Sequence, residues 1–151
     1  MAESQKTIRL IVTLPCYEDF EFLTEAVEIL ENETKKYTAD FKVLVVEDVS
    51  NSSKIVENLQ KQYGNIMYLH SPERQGRGKA LRGAWRKVEG DVYLFMDVDL
   101  STDVRRMNAY AKLIRGVSES GFDIVTGSRY LAESKTYRPI IRWLASKAYN
   151  H

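Results

Sequence analysis

The sequence predicts an α/β domain, a mostly parallel sheet with helices on both faces. Three observations predict it. Five short apolar runs alternate with stretches of helical periodicity along the 151 residues. The runs are apolar at nearly every position, which suits strands buried on both faces of a parallel sheet. Acidic residues follow two of the runs, as Glu47-Asp48 and as Asp97-x-Asp99. The carboxyl ends of strands are where open α/β sheets hold their ligands.

Each element has its own warrant. Residues 7–14 are rich in β-branched side chains and stop at Pro15, so a strand runs into a loop. Over 18–36, Phe22, Leu23, Ala26, Val27, Ile29 and Leu30 form a helical stripe between Glu and Lys residues. A second strand over 41–46 ends at Glu47-Asp48. The stretch Ser50-Asn51-Ser52-Ser53 carries loop and N-cap chemistry. A helix with Ile55, Val56 and Leu59 on one face follows, then a third strand over 65–70. Residues 76–90 read as a loop entering a helix through Ala80, Leu81, Ala84, Trp85 and Val88. The fourth strand covers 92–96. The segment 103–117 is helical, with Met107, Tyr110, Ala111 and Ile114 on one side. A fifth strand is expected over 122–126 and a last helix over 140–149. No internal repeat, low-complexity tract or linker interrupts this order, so one domain over 1–151 is expected.

The composition narrows the function. A formal net charge of +1 argues against nucleic-acid binding, which shows as a basic excess. Cys16 is the only cysteine and cannot make an internal disulfide, which points to a reducing compartment. It reads as a small buried residue. Residues 2–6 are polar, so no secretory leader is expected there. No run reaches the ~18 apolar residues of a membrane span. His70 and His151 have no metal-ligand spacing.

The acidic strand ends carry the chemistry. Strand side chains alternate faces, so Asp97 and Asp99 are expected to project together. Two like charges there repel, and a divalent cation removes that cost. Mg²⁺ and Mn²⁺ take oxygen ligands and bring a substrate's phosphates with them. In a doubly wound sheet the first strand lies between the second and the fourth. That order gathers residues 15–19, 47–48 and 97–99 at one rim, around a nucleotide-sized cleft.

Five motifs in order resemble those of family 2 glycosyltransferases. They are Pro15-Cys16-Tyr17-Glu18-Asp19, Val45-Val46-Glu47-Asp48-Val49-Ser50, Gln75-Gly76-Arg77-Gly78-Lys79-Ala80, Phe95-Met96-Asp97-Val98-Asp99-Leu100-Ser101 and Asp123-Ile124-Val125-Thr126-Gly127-Ser128-Arg129-Tyr130. The last two look like those of polyprenyl-phosphate sugar synthases, such as the dolichyl-phosphate mannose and glucose synthases. The resemblance implies a Rossmann-like GT-A fold. It also implies a metal-dependent, inverting transfer of a hexose from UDP-glucose or GDP-mannose to a polyprenyl phosphate. By resemblance, Asp99 binds the Mg²⁺ or Mn²⁺ and Asp97 contacts the ribose or the metal. Ser101 stands where a third ligand arises. Asp48 accepts a hydrogen bond from the nucleobase. Pro15, Tyr17, Asp19 and Lys79 belong to the nucleotide-sugar site. Arg129 orients the acceptor phosphate, with Arg138 and Arg142 beside it. Arg142, Ser146 and Asn150 share one face of the last helix.

Two departures stand out. Glu18-Asp19 replaces an Asn-Glu pair. Glu47 and Val49 replace the first Asp and the Gly of an Asp-Asp-Gly-Ser motif, and Val49 is expected to disfavour a turn with positive φ there. The sequence also stops where family domains continue, so a carboxyl-terminally incomplete domain is expected.

A polyprenyl phosphate acceptor needs no general base, because its oxygen is already anionic. A sugar hydroxyl acceptor needs a carboxylate base, and no segment supplies one. That acceptor, and a truncated nucleotide-sugar-binding module without transferase activity, are the alternatives. A sugar-nucleotide pyrophosphorylase would need a glycine-rich loop after the first strand, and residues 15–19 contain no glycine. The lipid acceptor implies a cytoplasmic protein at the cytoplasmic face of a membrane, with peripheral contact through residues 138–147 as one route.

Overall fold

The computed structural model describes residues 8–101 and 108–127. Its centre is β1 (Leu10–Cys16) and β2 (Phe41–Asp48). Each is apolar along most of its length and buried almost throughout, because each has a strand on either edge. β3 (Ile66–Ser71) and β4 (Val92–Phe95) flank them in the order β3-β2-β1-β4. All pairings are parallel, with Cys16 opposite Glu47 and Glu47 opposite His70. The expected neighbours of the first strand are therefore the observed ones. The chain reverses its direction of travel across the sheet at β1, which places a crevice at that strand's carboxyl end.

Helices cover both faces, and the pleat decides which residue meets which. Leu10, Val12, Leu14, Val43 and Val45 point to one face. There they meet α1 (Leu23–Thr34), α2 (Ser53–Gln62) and α4 (Asn108–Ser118) through Leu23, Val27, Leu30, Val56, Leu59 and Ile114. Ile11, Leu44 and Val46 point the other way, onto Ala80 and Ala84 of α3 (Arg77–Trp85) and onto Val88. Thr13 shares that face, and its buried hydroxyl accepts a hydrogen bond from Trp85 Nε1 at 2.8 Å.

Two expectations are corrected. The first helix does not begin at residue 18. A single 3-10 turn, Phe20–Phe22, precedes α1, and Glu18 has φ of 62°. Residues 122–126 are not a strand. Phe122 and Ile124 are 61% and 85% exposed, while Val125 packs against Gly116 of α4. No described strand pairs with this segment, and alternating apolar residues make a strand only beside a partner edge. The helix expected over 103–117 is seen as α4 from Asn108 on, and its first residues lie outside the described ones. The one expected over 140–149 lies outside the described residues. Among those described, no helix is long and apolar enough to cross a membrane.

Candidate functional site

The carboxyl ends of β1, β2 and β4 and the entry to α3 enclose a cleft of about 250 Å³. Pro15 lines it from the end of β1, Tyr17 and Asp19 from the loop that follows, and Asp48 from β2. Arg74, Gly76 and Arg77 close the side towards α3, and Asp97 closes the side towards β4. A larger cavity of about 910 Å³ lies at the opposite end of the sheet, between Tyr37, Val92 and Ile114. None of the motif residues lines it, so its size alone makes no site. Backbone strain is also concentrated at the cleft rim. Glu18, Val49 and Leu100, each in the loop beyond β1, β2 or β4, are the non-glycine residues with positive φ among those described.

The end of β2 is closed by folding. Glu47 is fully buried, and its carboxylate accepts hydrogen bonds from Ser50 Oγ at 2.9 Å, from Ser52 N at 3.0 Å and from the Tyr68 hydroxyl. Ser52 precedes α2, so the carboxylate also caps that helix's positive end. Burial raises the pKa of Glu47, but the hydrogen bonds from Tyr68, Ser52 and Ser50 outweigh it, and the carboxyl sits below its ordinary value. Burial first, and then Glu47, pushes the Tyr68 phenol up to about 12. Ser50 Oγ also receives the backbone amide of Glu18 at 3.3 Å, which ties the β1 and β2 loops together.

Asp48 differs from its neighbour. Its Oδ2 accepts the backbone amides of Gln75 at 2.8 Å and Gly76 at 2.9 Å. Its Oδ1 is buried with no hydrogen-bond partner. Val49 follows at φ of 65°. The expectation that valine would prevent this turn is wrong. The Val49 amide donates to Ser71 O at 2.8 Å and the Ser50 amide to Asp48 O at 2.7 Å. These bonds hold the left-handed conformation against the β-branched side chain.

The end of β4 is open. The strand stops at Phe95, and the Leu100 amide donates to Asp97 O at 3.0 Å, so residues 97–100 form a turn. Strand alternation therefore does not place Asp97 and Asp99. The turn exposes both and buries Val98 between them. Asp97 Oδ1 accepts Arg77 Nη1 at 2.9 Å, and Asp99 Oδ1 accepts the Ser101 amide at 2.9 Å. The Asp19 carboxyl is raised above its ordinary value by burial and by the charges of Asp99, Glu18, Asp97 and Glu21.

No three acidic, histidine or cysteine side chains among the described residues form a metal cage. Magnesium on a phosphorylated substrate does not need one. It takes one or two carboxylates and completes its shell with water and phosphate oxygens. Asp97 and Asp99 each retain one oxygen without a described partner, and their charges add to burial in raising the nearby Asp19 carboxyl. Asp97 lines the cleft and Asp99 lines a small neighbouring pocket beside Phe22 and Glu25, so the two carboxylates fit a hard divalent cation as part of a shell that water and substrate oxygens complete.

One cleft residue, Arg74, was not singled out by sequence, and Arg77 stood in a motif from which Lys79 was the residue assigned to the site. Arg74 lies over the Tyr17 ring, 4.1 Å from its centroid. Arg77, not Lys79, brings a cation into the cleft, since Lys79 is exposed on α3 and is not part of the lining. The repeated Gly-cation pattern contained both, and only the helix start distinguishes them. Cys16 is buried as expected, and burial, then Glu47 and Asp19, raises its thiol to about 11. It is no nucleophile at neutral pH. Arg129, Arg138, Arg142, Ser146 and Asn150 lie outside the described residues.

The family model of glycosyl transferase family 2 matches residues 11–149. The chain is 31% identical over 147 residues to the glycosyltransferase AglD of Haloferax volcanii, covering 95% of this chain and 23% of that protein. It is 26% identical over 147 residues to the dolichyl-phosphate beta-glucosyltransferase ALG5A of Trichomonas vaginalis, covering 92% of this chain and 46% of that one. It thus spans less than half the length of either relative. Among solved structures it is similar to the mannosyltransferase PcManGT from Pyrobaculum calidifontis, in complex with GDP-Man and Mn²⁺. The TM-score is 0.55 at 21% identity, over 63% of this chain and 28% of that one.

Proposed function

Because this chain belongs to glycosyl transferase family 2 and has its Rossmann-like GT-A fold, we propose that the rim cleft binds a nucleotide diphosphate-sugar whose hexose is transferred, with inversion, to a polyprenyl phosphate. The observation that carries this reading is the convergence of Asp48, Arg77 and Asp97 on one cleft at the strand-order reversal. Asp48 Oδ1 is a buried acceptor without a donor, and the ring N–H of uracil or of guanine supplies one. Tyr17, backed by Arg74, offers a ring face to the base. Arg77 meets the diphosphate, as guanidinium forks do.

Asp97 and Asp99 would hold Mg²⁺ or Mn²⁺, which when bound neutralises the departing diphosphate. The acceptor oxygen is anionic at neutral pH, so orientation rather than proton removal is what the protein supplies. Arg129, with Arg138 and Arg142, orients it in this reading. The dolichyl-phosphate relative and the GDP-Man and Mn²⁺ of the structural neighbour support these substrate classes. A lipid acceptor puts the protein at the cytoplasmic face of a membrane, with 1–151 contributing one catalytic domain.

The test is thermal unfolding with Mn²⁺ and a panel of UDP- and GDP-sugars, beside Asp99→Ala, followed by transfer of labelled sugar to dolichyl phosphate. A donor at ~100 times its dissociation constant adds about 2.7 kcal/mol, which raises the midpoint by several degrees. The rise is expected with one base only and is lost in Asp99→Ala. No rise with any donor overturns the donor site. Binding without transfer of label to dolichyl phosphate overturns the acceptor.

A further inference from the structure

Arg77 is the first residue of α3. The two amides just before it, of Gln75 and Gly76, hold Asp48 Oδ2 at 2.8 and 2.9 Å. Its own guanidinium holds Asp97 Oδ1 at 2.9 Å and lies 5.9 Å from the centroid of the Phe95 ring. One short segment therefore fastens both acid-bearing strand ends, and its two grips differ in kind. The amides belong to the main chain just ahead of α3, so they leave Asp48 only if the backbone moves. The guanidinium rides on a flexible side chain that is 60% exposed. Exposed ion pairs of this sort are weak and exchange readily.

We propose that Arg77 is a positioning residue that occupies the metal-binding carboxylate in the free protein and exchanges it for the diphosphate of the arriving nucleotide. This rests on the donor site proposed above. A guanidinium on Asp97 fills one of its acceptor positions and repels a cation. A diphosphate carries more negative charge than one carboxylate and takes the guanidinium fork in two hydrogen bonds, so it draws Arg77 away. Arg77 and Asp97 line the same cleft, so the exchange needs a side-chain rotation and no backbone movement. Metal and diphosphate then bind with a positive coupling that this chain adds to their own mutual affinity. Loading of the carboxylates is weakened until a donor is present.

The test counts free Mn²⁺ by electron paramagnetic resonance against the nucleotide-free chain. The samples are wild type, Arg77→Gln and Arg82→Gln. Arg82 lies on the same helix and does not line the cleft, so its variant controls for net charge. Arg77→Gln is expected to bind Mn²⁺ about two- to fivefold more tightly, the scale of an exposed ion pair, while Arg82→Gln matches wild type. With chelator present, GDP or UDP is expected to bind Arg77→Gln more weakly, and the bare nucleoside equally well. Unchanged or weaker Mn²⁺ binding in Arg77→Gln, with nucleotide binding intact in wild type, overturns the exchange and leaves the donor site standing. An equal rise in Arg82→Gln reduces the effect to net charge and overturns it too. A wild-type chain that binds neither Mn²⁺ nor nucleotide overturns the donor site, and the exchange with it.

Discussion

Glu47 and Asp48 close β2 inside the protein, whereas Asp97 and Asp99 follow β4 in solvent. Both acid pairs stand at the same rim. Glu47 is surrounded by donors from β3 and from the loop before α2, and Asp48 is anchored on one oxygen. Asp97 and Asp99 have one described partner each, and their charges add to burial in raising the Asp19 carboxyl. Folding supplies the partners of the first pair. A ligand is left to supply those of the second. A carboxylate's place at a strand end therefore does not tell its task, and the number of its oxygens still unmet is the better guide.

Substitutions at five positions sharpen or break that contrast, in order of their effect on stability. Glu47→Ala strands the donors of Ser50, Ser52 and Tyr68 and should cost about 3–5 kcal/mol in urea unfolding. Its pH dependence has a definite sign. The pKa of Glu47 is lowered on folding, so its stabilisation is present above the ordinary carboxyl value and is lost as pH falls through the lowered one. Glu47→Gln should flatten the acid limb of the stability curve. Asp19 is raised, so it works in the opposite sense, and its penalty grows as pH climbs through the ordinary value.

Asp48→Ala leaves two backbone amides without an acceptor and should cost about 1–3 kcal/mol. It should also remove nucleoside binding, which calorimetry would detect. Val49→Gly relieves a left-handed β-branched residue, worth about 1–2 kcal/mol, against the greater chain entropy of glycine. A net gain of up to about 1 kcal/mol is expected from the same unfolding curves. Asp97→Ala and Asp99→Ala should change stability by no more than about 0.5 kcal/mol while abolishing the metal-dependent shift with donor. A loss in Asp99→Ala as large as that in Glu47→Ala would erase the distinction between the two strand ends.

The strands β1 to β4, the helices between them and the two neighbours of β1 were legible in the sequence. Apolar residues at period two or at helical spacing report burial directly, and Leu10 to Leu14 and Leu23 to Leu30 lie where the pattern puts them. The misses fall where local pattern is not the deciding force. Phe122 and Ile124 have the alternation of a strand but no described edge to pair with. Asp97 and Asp99 obey a turn because the Leu100 amide finds Asp97 O. Val49 is held at positive φ by bonds to β3 and to its own loop that its side chain does not announce. Arg74 reaches Tyr17 from a loop 57 positions later in the chain (74 minus 17), so nothing in either neighbourhood points to the other.

The anchorage of Asp48 has a consequence for how this rim tolerates mutation. Its two donors are main-chain amides of Gln75 and Gly76, and every residue except proline carries such an amide. The identity of the side chain at 75 can drift without loosening the acid. Glycine at 76 is constrained by its φ of 74° rather than by its contact with Asp48. Selection can thus rewrite the letters of this stretch while the hold on the carboxylate persists, and proline at 75 is the change that deletes that residue's share of it outright.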